Sequence, residues 1–271
     1  MDCAQAVFIL FMLTPCENGG ADSINLAVAE ALASPDRIEK DRQSDPFRRP
    51  DLILSFFEIE PGMTVLDLFS GGGYYTEIVS RVVGEQGEVI AHNNEAYLAY
   101  AKADIDARFA GNRLGNVKKM TSEADALELP GNTFDVTLIM LTWHDFYYLD
   151  EENGWPSIDE KALINNLCAA MKPGAVLGLT DHVAADGSNP DESAQNLHRI
   201  DPELIKADLQ GSCFEFEGEL KVLRNPEDDH SQPMFAEGIR GRTDRVVYKL
   251  SLIHISEPTR PMKESRIPSS A

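Results

Sequence analysis

The stretch that decides the fold is TVLDLFSGGGYYTEIVSRVVGEQGEVIAHN, residues 64–93. It begins with TVLDLF, a continuous apolar run with β-branched residues, which is typical of a strand buried on both faces of a parallel sheet. Three glycines follow, and then YYTEIVSRVV has its apolar residues at helical spacing. GEVIAHN predicts a second strand. This order predicts two parallel strands joined by a right-handed helical crossover.

The same alternation of strands and helices continues downstream, and the segment before residue 64 reads as helical. We therefore predict an α/β fold with a Rossmann-like open twisted sheet, mostly parallel with an antiparallel last strand, and helices on both faces. The further predicted elements are a helix at 95–110, strands at 116–120, 134–141 and 175–182, a helix at 158–171, and a closing strand pair within 213–224 and 245–250.

The two ends differ from this body, which we place at residues 34–250. Residues 6–13 form an apolar run that ends near Cys16 and resembles a bacterial lipoprotein signal. We expect residues 1–33 to be a signal or lipoprotein-like segment and linker, with export to the periplasm or cell envelope and a lipid anchor at Cys16; a cytoplasmic protein is the alternative. Residues 251–271 resemble translated sequencing-adapter sequence, so they are left out of the fold prediction.

Composition excludes several classes of partner. The chain has 24 Lys and Arg against 45 Asp and Glu, for a formal charge of −21. Such acidity argues against duplex nucleic acid or an anionic membrane face as the main partner, because phosphate binding needs a basic surface. No apolar run approaches the ~20 residues of a spanning helix. No two of the four cysteines form a CxxC pair, and Cys168 is expected to be a small core residue.

The glycine turn lies where open α/β sheets bind ligands, at the carboxyl end of a strand. It reads DLFSGGGYYT, from Asp67 to Thr76. A dinucleotide fingerprint requires a third glycine where Thr76 stands, and a P-loop requires a lysine that is absent here. What remains is an acidic residue in the strand followed by a G-x-G turn.

That pattern, together with ADALELP at 124–130, FDVTLIML at 134–141 and MKPGAVLGLTDH at 171–182, resembles the class I S-adenosylmethionine-dependent methyltransferases. The resemblance covers most of 47–250. More narrowly, motifs such as LTWHDFYY at 141–148 make the chain similar to a poorly characterised bacterial group of predicted methyltransferases. The resemblance implies S-adenosylmethionine as the cofactor and methyl transfer, EC 2.1.1.-, as the activity.

The resemblance also implies cofactor-binding positions. By position, Asp67, Gly71 and Gly73 contact the methionine portion of the cofactor, and Asp125 with Ala126 stand where the class contacts the adenine.

Two cofactor positions depart from the usual residues of the class. Phe69 stands where the first glycine of the turn is usual. Asn93 stands where an acidic residue usually binds the ribose hydroxyls, and an amide brings no negative charge to a sulfonium ligand. Glu95, in the next turn, is a candidate substitute.

The candidate catalytic residues are two His/Asp pairs. His144 and Asp145 follow the fourth predicted strand, and Asp181 and His182 end the fifth, so both pairs border the same crevice. We predict that one of the histidines is a general base for the acceptor, with the aspartates orienting it. A metal site and a purely structural role are the alternatives. No HxH or HxxxH spacing supports a preformed site, so no metal ligands are predicted.

Other residues join the site if the later loops fold over the crevice: His198, Asp201, Asp229 and His230. The sequence thus predicts methyl transfer to a small-molecule nucleophile. A non-catalytic binding protein on the same fold and a metal-dependent hydrolase using the His/Asp residues are the alternatives.

Overall fold

A seven-stranded sheet forms the centre of the computed structural model, which describes residues 25–253. The signal-like segment with Cys16 and the tail from residue 254 lie outside the described residues. Within residues 25–253, no helix is long and apolar enough to cross a bilayer. The strands are β1 (Thr64–Leu68), β2 (Glu88–Asn93), β3 (Val117–Thr121), β4 (Phe134–Met140), β5 (Met171–His182), β6 (Phe214–Glu219) and β7 (Arg245–Leu252).

The strand order is β3-β2-β1-β4-β5-β7-β6. The first five strands are parallel, and β7 is antiparallel to both of its neighbours. The order reverses direction at β1 and β4, which places a ligand crevice at their carboxyl ends. The prediction of a mostly parallel sheet with an antiparallel last strand is confirmed.

Helices cover both faces of the sheet. They are α1 (Leu26–Ala33), α2 (Glu39–Arg48), α3 (Pro50–Phe56), α4 (Tyr74–Val83), α5 (Glu95–Phe109), α6 (Glu160–Ala170), α7 (Pro190–Leu197) and α8 (Pro202–Leu209). The apolar side chains form two clusters, one including residues of α1, α3 and α4 and the other including residues of α6 and α8. Neighbouring residues of β1 alternate between them, with Val65 in the first and Leu66 in the second, as expected for a strand buried on both faces.

Parts of the structure differ from the sequence prediction. Residues 26–33, assigned to the linker, form α1, which buries Val28 and Ala31 in the core shared with α4. β7 continues to Leu252, two residues past the predicted boundary. The stretch between β5 and β6, for which no element was predicted, carries α7 and α8.

Cys168 packs against the core but is only partly buried, and the expectation missed its covalent partner. Cys168 and Cys213 form a disulfide with their Cα atoms 5.9 Å apart, joining α6 to the residue before β6. Neither the spacing of the two cysteines nor their neighbours signals this pairing, because they are 45 residues apart and meet only through the sheet topology.

Candidate active site

The glycine turn after β1 has a left-handed backbone at alternate residues. The φ angles are 52° at Phe69, 55° at Gly71 and 78° at Gly73. Glycine adopts such angles without strain, whereas a phenylalanine there is unusual. A Cβ added to Gly71 would meet nothing within 4 Å, so the backbone there borders open space. A Cβ on Gly73 would lie 2.7 Å from Cδ of Arg108, because α5 packs against the turn.

Asn93, at the end of β2, holds this turn from the neighbouring strand. Its Oδ1 atom accepts the N–H of Gly71 at 2.8 Å. Its Nδ2 atom donates to Oγ of Ser70 at 3.0 Å and to the carbonyl of Gly71 at 3.1 Å. The side chain is 5% exposed. The residue at the expected ribose position is therefore engaged in shaping the loop.

Asp67 is a buried residue of β1, two residues before the turn. Its carboxylate accepts a hydrogen bond from Oγ1 of Thr76 at 2.5 Å. Burial raises the pKa of Asp67 to about 6, although the Thr76 hydrogen bond and the charge of Arg108 oppose this effect. Thr76, the residue that ruled out a dinucleotide fingerprint, thus anchors the strand's acidic residue.

The Phe69 ring packs into the hydrophobic core behind the turn. It is 3% exposed, stacks on Tyr97 at 5.2 Å between ring centroids, and meets the edge of His92 at 5.1 Å. His92 is fully buried, and its Nε2 atom lies 3.0 Å from the carbonyl of Ser122. Burial lowers the pKa of His92 to about 4, so this ring is neutral at neutral pH.

The predicted adenine position lies in a short 3₁₀ turn, Ala124–Ala126, which follows β3. β3 pairs with β2, so this turn and the end of β2 lie at the same edge of the sheet. Ala124 is buried and Ala126 is exposed. The backbone of Asp125 belongs to this turn.

The two predicted His/Asp pairs meet. The Nδ1 atom of His144 lies 2.7 Å from Oδ1 of Asp181, and its Nε2 atom lies 3.3 Å from Oδ1 of Asp145. The other oxygen of Asp181 accepts the backbone N–H of His144 at 2.8 Å. Tyr97 donates its hydroxyl to Oδ2 of Asp145. Three of the four predicted catalytic side chains therefore form one buried chain of contacts at the ends of β4 and β5.

Burial and neighbouring charges have opposite effects on the pKa values of His144 and Asp145. Burial lowers the pKa of His144, but the carboxylates of Asp145 and Asp181 outweigh it and raise that pKa to about 9. Burial raises the pKa of Asp145 despite the adjacent imidazole and the Tyr97 hydroxyl. With no other ligand present, His144 therefore carries a proton at neutral pH.

His182 lies beside this chain but has its own partner. Its Nδ1 atom is 2.6 Å from Oγ1 of Thr243, and its ring centroid is 6.1 Å from that of His144. Burial and the neighbouring cations, with His144 first among them, lower its pKa well below the usual value. No residue within 25–253 makes a hydrogen bond to Nε2 of His182.

Of the four further candidates in the later loops, His198 lies at the site. Its ring lies 5.6 Å from that of His144 and stacks on Tyr148 at 5.1 Å. His198 ends α7 in a left-handed conformation, with φ at 51°. The other three do not join: Asp201 caps α8, Asp229 bonds to Ser231, and His230 pairs with Asp244.

Arg199 explains how His198 reaches the site. Its guanidinium is fully buried and forms two hydrogen bonds with Asp228, at 2.8 and 3.1 Å. It also donates to the carbonyls of Val183, next to the end of β5, and Gln232. In the sequence, the HRID motif at 198–201 was the only sign of this arrangement. The burial of Arg199 depends on Asp228 and Gln232, about 30 residues further along the chain.

The aromatic residues around His144 have separate roles. Trp143 is buried and donates Nε1–H to Asp208 at 3.1 Å, as does the hydroxyl of Tyr147 at 2.8 Å. Tyr148 faces His198 instead. Tyr147 and Tyr148 also line a groove of about 600 Å³ together with Leu149, Asp191 and Gln195. His144, His182 and His198 are not among the residues that line this groove.

Comparisons of the sequence with known proteins find methyltransferases. The family model for protein-L-isoaspartate(D-aspartate) O-methyltransferase matches residues 33–117, which include α2 to α5 and the glycine turn. A ubiquinone/menaquinone biosynthesis C-methyltransferase from Shewanella sp. (strain ANA-3) is 32% identical over 118 residues, 43% of this chain and 41% of that protein. The corresponding Citrobacter koseri protein is 43% identical over 121 residues, 44% of this chain and 42% of that protein. The match therefore spans about two fifths of these curated relatives.

Solved structures match over most of the chain. An S-adenosylmethionine-dependent methyltransferase from Aquifex aeolicus superimposes with a TM-score of 0.54 at 22% identity, covering 84% of this chain and all of that one. One from Mesorhizobium loti gives a TM-score of 0.51 at 17% identity, covering 77% and 99%. The chain therefore has the fold of the class I S-adenosylmethionine-dependent methyltransferases. S-adenosylmethionine, the cofactor predicted from the sequence, is the cofactor of this class.

The glycine turn has room for the methionine portion of that cofactor. The left-handed turn and the open space at Gly71 allow a ligand to lie against the backbone, above the buried carboxylate of Asp67. The ribose side differs, because Asn93 is engaged with the turn. Glu95 is exposed in the first turn of α5, two residues further along.

Proposed function

We propose that the chain transfers the methyl group of S-adenosylmethionine to a small-molecule nucleophile. The observation that carries this proposal is the joint placement of two features at the carboxyl ends of adjacent strands: the left-handed turn 69–73 after β1, and the His/Asp chain after β4 and β5. Open α/β sheets bind ligands at this edge. When bound, S-adenosylmethionine supplies an electrophilic methyl group on a sulfonium.

Gly71, Gly73 and Asp67 would bind the methionine portion, and the 3₁₀ turn with Asp125 and Ala126 would face the adenine. Because Asn93 already has partners for both ends of its amide, Glu95 is the proposed contact for the ribose hydroxyls. A carboxylate there would also bring negative charge to a cationic ligand.

His182 is the proposed general base of the two predicted histidines. His144 has carboxylates at both ring nitrogens, so neither nitrogen is free to receive a proton from an acceptor. His182 has one nitrogen engaged with Thr243. When Nδ1–H donates to Thr243, the lone pair of Nε2 is available to take the acceptor's proton as its nucleophile attacks the methyl carbon. Thr243 is then the residue that positions the base.

Labelled cofactor tests the proposal without knowledge of the acceptor. The full chain is incubated with methyl-labelled S-adenosylmethionine and a bacterial extract separated by ultrafiltration. We expect label in a new small molecule that chromatography separates from S-adenosylmethionine, formed only when the protein is present. Label confined to the macromolecular fraction would contradict the acceptor class, and no transfer to either fraction by a protein that binds the cofactor would favour the binding-protein alternative.

His182→Gln and His230→Gln then test the base. We expect kcat to fall about 10²–10³-fold in His182→Gln with little change in the cofactor's KM, because general bases contribute about 10²–10⁴-fold. His230 pairs with Asp244 outside the site, so His230→Gln should keep the wild-type rate. Equal rates in the two variants would remove His182 from the proposal.

We also propose that the chain is exported. The Cys168–Cys213 disulfide supports this, because disulfides persist in oxidising compartments such as the bacterial periplasm and are rare in the cytosol. The same disulfide favours the binding-protein alternative, since the methyl donor is made in the cytosol. The transfer experiment above separates the two.

A further inference from the structure

Three side chains from distant parts of the chain present metal-ligating atoms to one point. They are His144 and Asp145, after β4, and His198, at the end of α7; each offers one ligand atom, and these atoms all lie within 4.8 Å of one another. His144 and Asp145 are buried, and His198 is half-buried. Two imidazoles and one carboxylate form a ligand set that suits divalent transition metals.

The contacts behind these ligands select the atoms that would face an ion. Asp181 engages Nδ1 of His144 at 2.7 Å, which directs Nε2 towards Asp145. Tyr97 engages Oδ2 of Asp145, so Oδ1, the oxygen that faces Nε2 of His144, is the one that would bind an ion in place of the proton between them. Carboxylates and hydroxyls placed behind metal ligands fix their orientation in this way. Asp181 and Tyr97 are not ligands themselves, so their contacts are a second observation in favour of the site.

The spacing of the selected atoms matches tetrahedral coordination. Metal–nitrogen bonds of ~2.0–2.1 Å at a tetrahedral angle place two ligand atoms about 3.3 Å apart. Nε2 of His144 and Oδ1 of Asp145 are 3.3 Å apart. The ligand atom of His198 lies within 4.8 Å of both, so its ring would have to move closer to bind the same ion.

The backbone holds both segments in unusual conformations. Leu141, directly after β4, has φ at 66°, and His198 has φ at 51°. Non-glycine residues rarely adopt such angles, and a β-strand end and a helix end held this way need support. Arg199 supplies it for His198 through its buried pair with Asp228.

We propose that His144, Asp145 and His198 bind a divalent transition-metal ion of the Zn²⁺ type. Three protein ligands leave one tetrahedral position for an exchangeable ligand, as in catalytic zinc sites. Mg²⁺ and Ca²⁺ prefer oxygen-only sites and are expected to bind far more weakly. The inference concerns binding, so it stands whether or not the domain transfers methyl groups. His182 is outside the ligand set and remains available as the proposed base.

Metal titration of the full chain tests this site. After treatment with a chelator and its removal, the protein is titrated with Zn²⁺ against a chromophoric competitor and with Co²⁺, whose visible absorption reports tetrahedral coordination. We expect one ion per chain and the absorption bands of a tetrahedral site. Folded wild-type protein that binds no ion, or Co²⁺ with a purely octahedral spectrum, would overturn the proposal.

His198 and His230 both have a left-handed backbone conformation, so the same substitution can be compared at the two positions. His198→Asn removes the ligand while keeping a residue that tolerates a positive φ, and His230→Asn makes the same change at φ 61°, outside the site. We expect affinity to fall at least about 100-fold in His198→Asn and to stay unchanged in His230→Asn. Asp181→Asn should weaken binding by about 10–100-fold, as for other residues that support ligands. Equal affinity in His198→Asn and wild type would overturn the assignment.

Discussion

Gly71 and Asn93 are joined by two hydrogen bonds between adjacent strands. The N–H of Gly71 donates to Oδ1 of Asn93 at 2.8 Å, and Nδ2 of Asn93 donates back to the carbonyl of Gly71 at 3.1 Å. One amide side chain therefore closes the cofactor turn onto the end of β2. A carboxylate cannot make the second of these bonds.

Asn93→Asp should consequently weaken cofactor binding, although it restores the acidic residue usual in the class. The carboxylate would face the carbonyl of Gly71 without a donor. Leaving buried polar groups unpaired costs about 1–3 kcal/mol, so the unfolding free energy should fall by that amount. Chemical unfolding and calorimetric binding measure both effects. Tighter binding by a variant of wild-type stability would show that Asn93 faces the ribose.

Arg199→Met should be among the most destabilising single substitutions in the chain. It leaves the carboxylate of Asp228 buried without its partner, which costs about 3–5 kcal/mol. Lys102→Met removes a salt bridge of similar length between exposed side chains and should cost less than about 1 kcal/mol. Urea unfolding of the two variants checks the contrast. Similar losses would mean that the Arg199 pair does not anchor the segment before α8.

The disulfide should contribute a large part of the stability. Cys168 and Cys213 are 45 residues apart, and a closed loop of that size lowers the entropy of the unfolded chain by an amount worth about 4 kcal/mol. Cys168→Ser should lose this stabilisation, and reduction of the wild type should reproduce the loss. Alkylation followed by intact mass measurement reports the bond directly. Alkylation of both cysteines in the folded protein before reduction would contradict the pairing.

Asp67 makes the stability depend on pH in an unusual direction. Its folded-state pKa of about 6 lies above the ordinary 3.8, so the folded state holds the proton more tightly than the unfolded state. Ionisation therefore opposes folding: the cost is absent below pH 3.8, grows between 3.8 and about 6, and then stays constant. A shift of about 2 units corresponds to about 3 kcal/mol.

Asp67→Asn isolates this effect, because an amide oxygen still accepts the Thr76 hydrogen bond. Relative to wild type, the variant should gain about 3 kcal/mol of unfolding free energy between about pH 4 and about pH 7. Urea unfolding at both pH values gives the difference. A constant difference across this range would show that Asp67 ionises normally.

The sheet was predictable from the sequence because its signals are local. Buried parallel strands read as continuous apolar runs, and β1, β4 and β5 all have this character. The glycine turn and the meeting of His144 with Asp181 followed from the rule that parallel strands end at one edge.

What the sequence did not reveal depends on contacts between distant segments. Nothing local marks Cys168 for pairing with Cys213, and His198 reaches His144 only because Arg199 is buried against Asp228. The hydrogen bonds between Asn93 and Gly71 could not be predicted either, because an asparagine at a strand end can bind a ligand or a loop and the sequence does not distinguish the two.

Calorimetric titration of the full chain with S-adenosylmethionine and with its demethylated product tests whether the glycine turn binds this cofactor. We expect binding of both in the micromolar range, lost in Gly71→Arg and retained in Gly111→Arg. Both glycines have positive φ angles and open surroundings, but only Gly71 lies in the cofactor turn. No binding by folded wild-type protein, or equal binding by the two variants, would contradict a cofactor site at this turn.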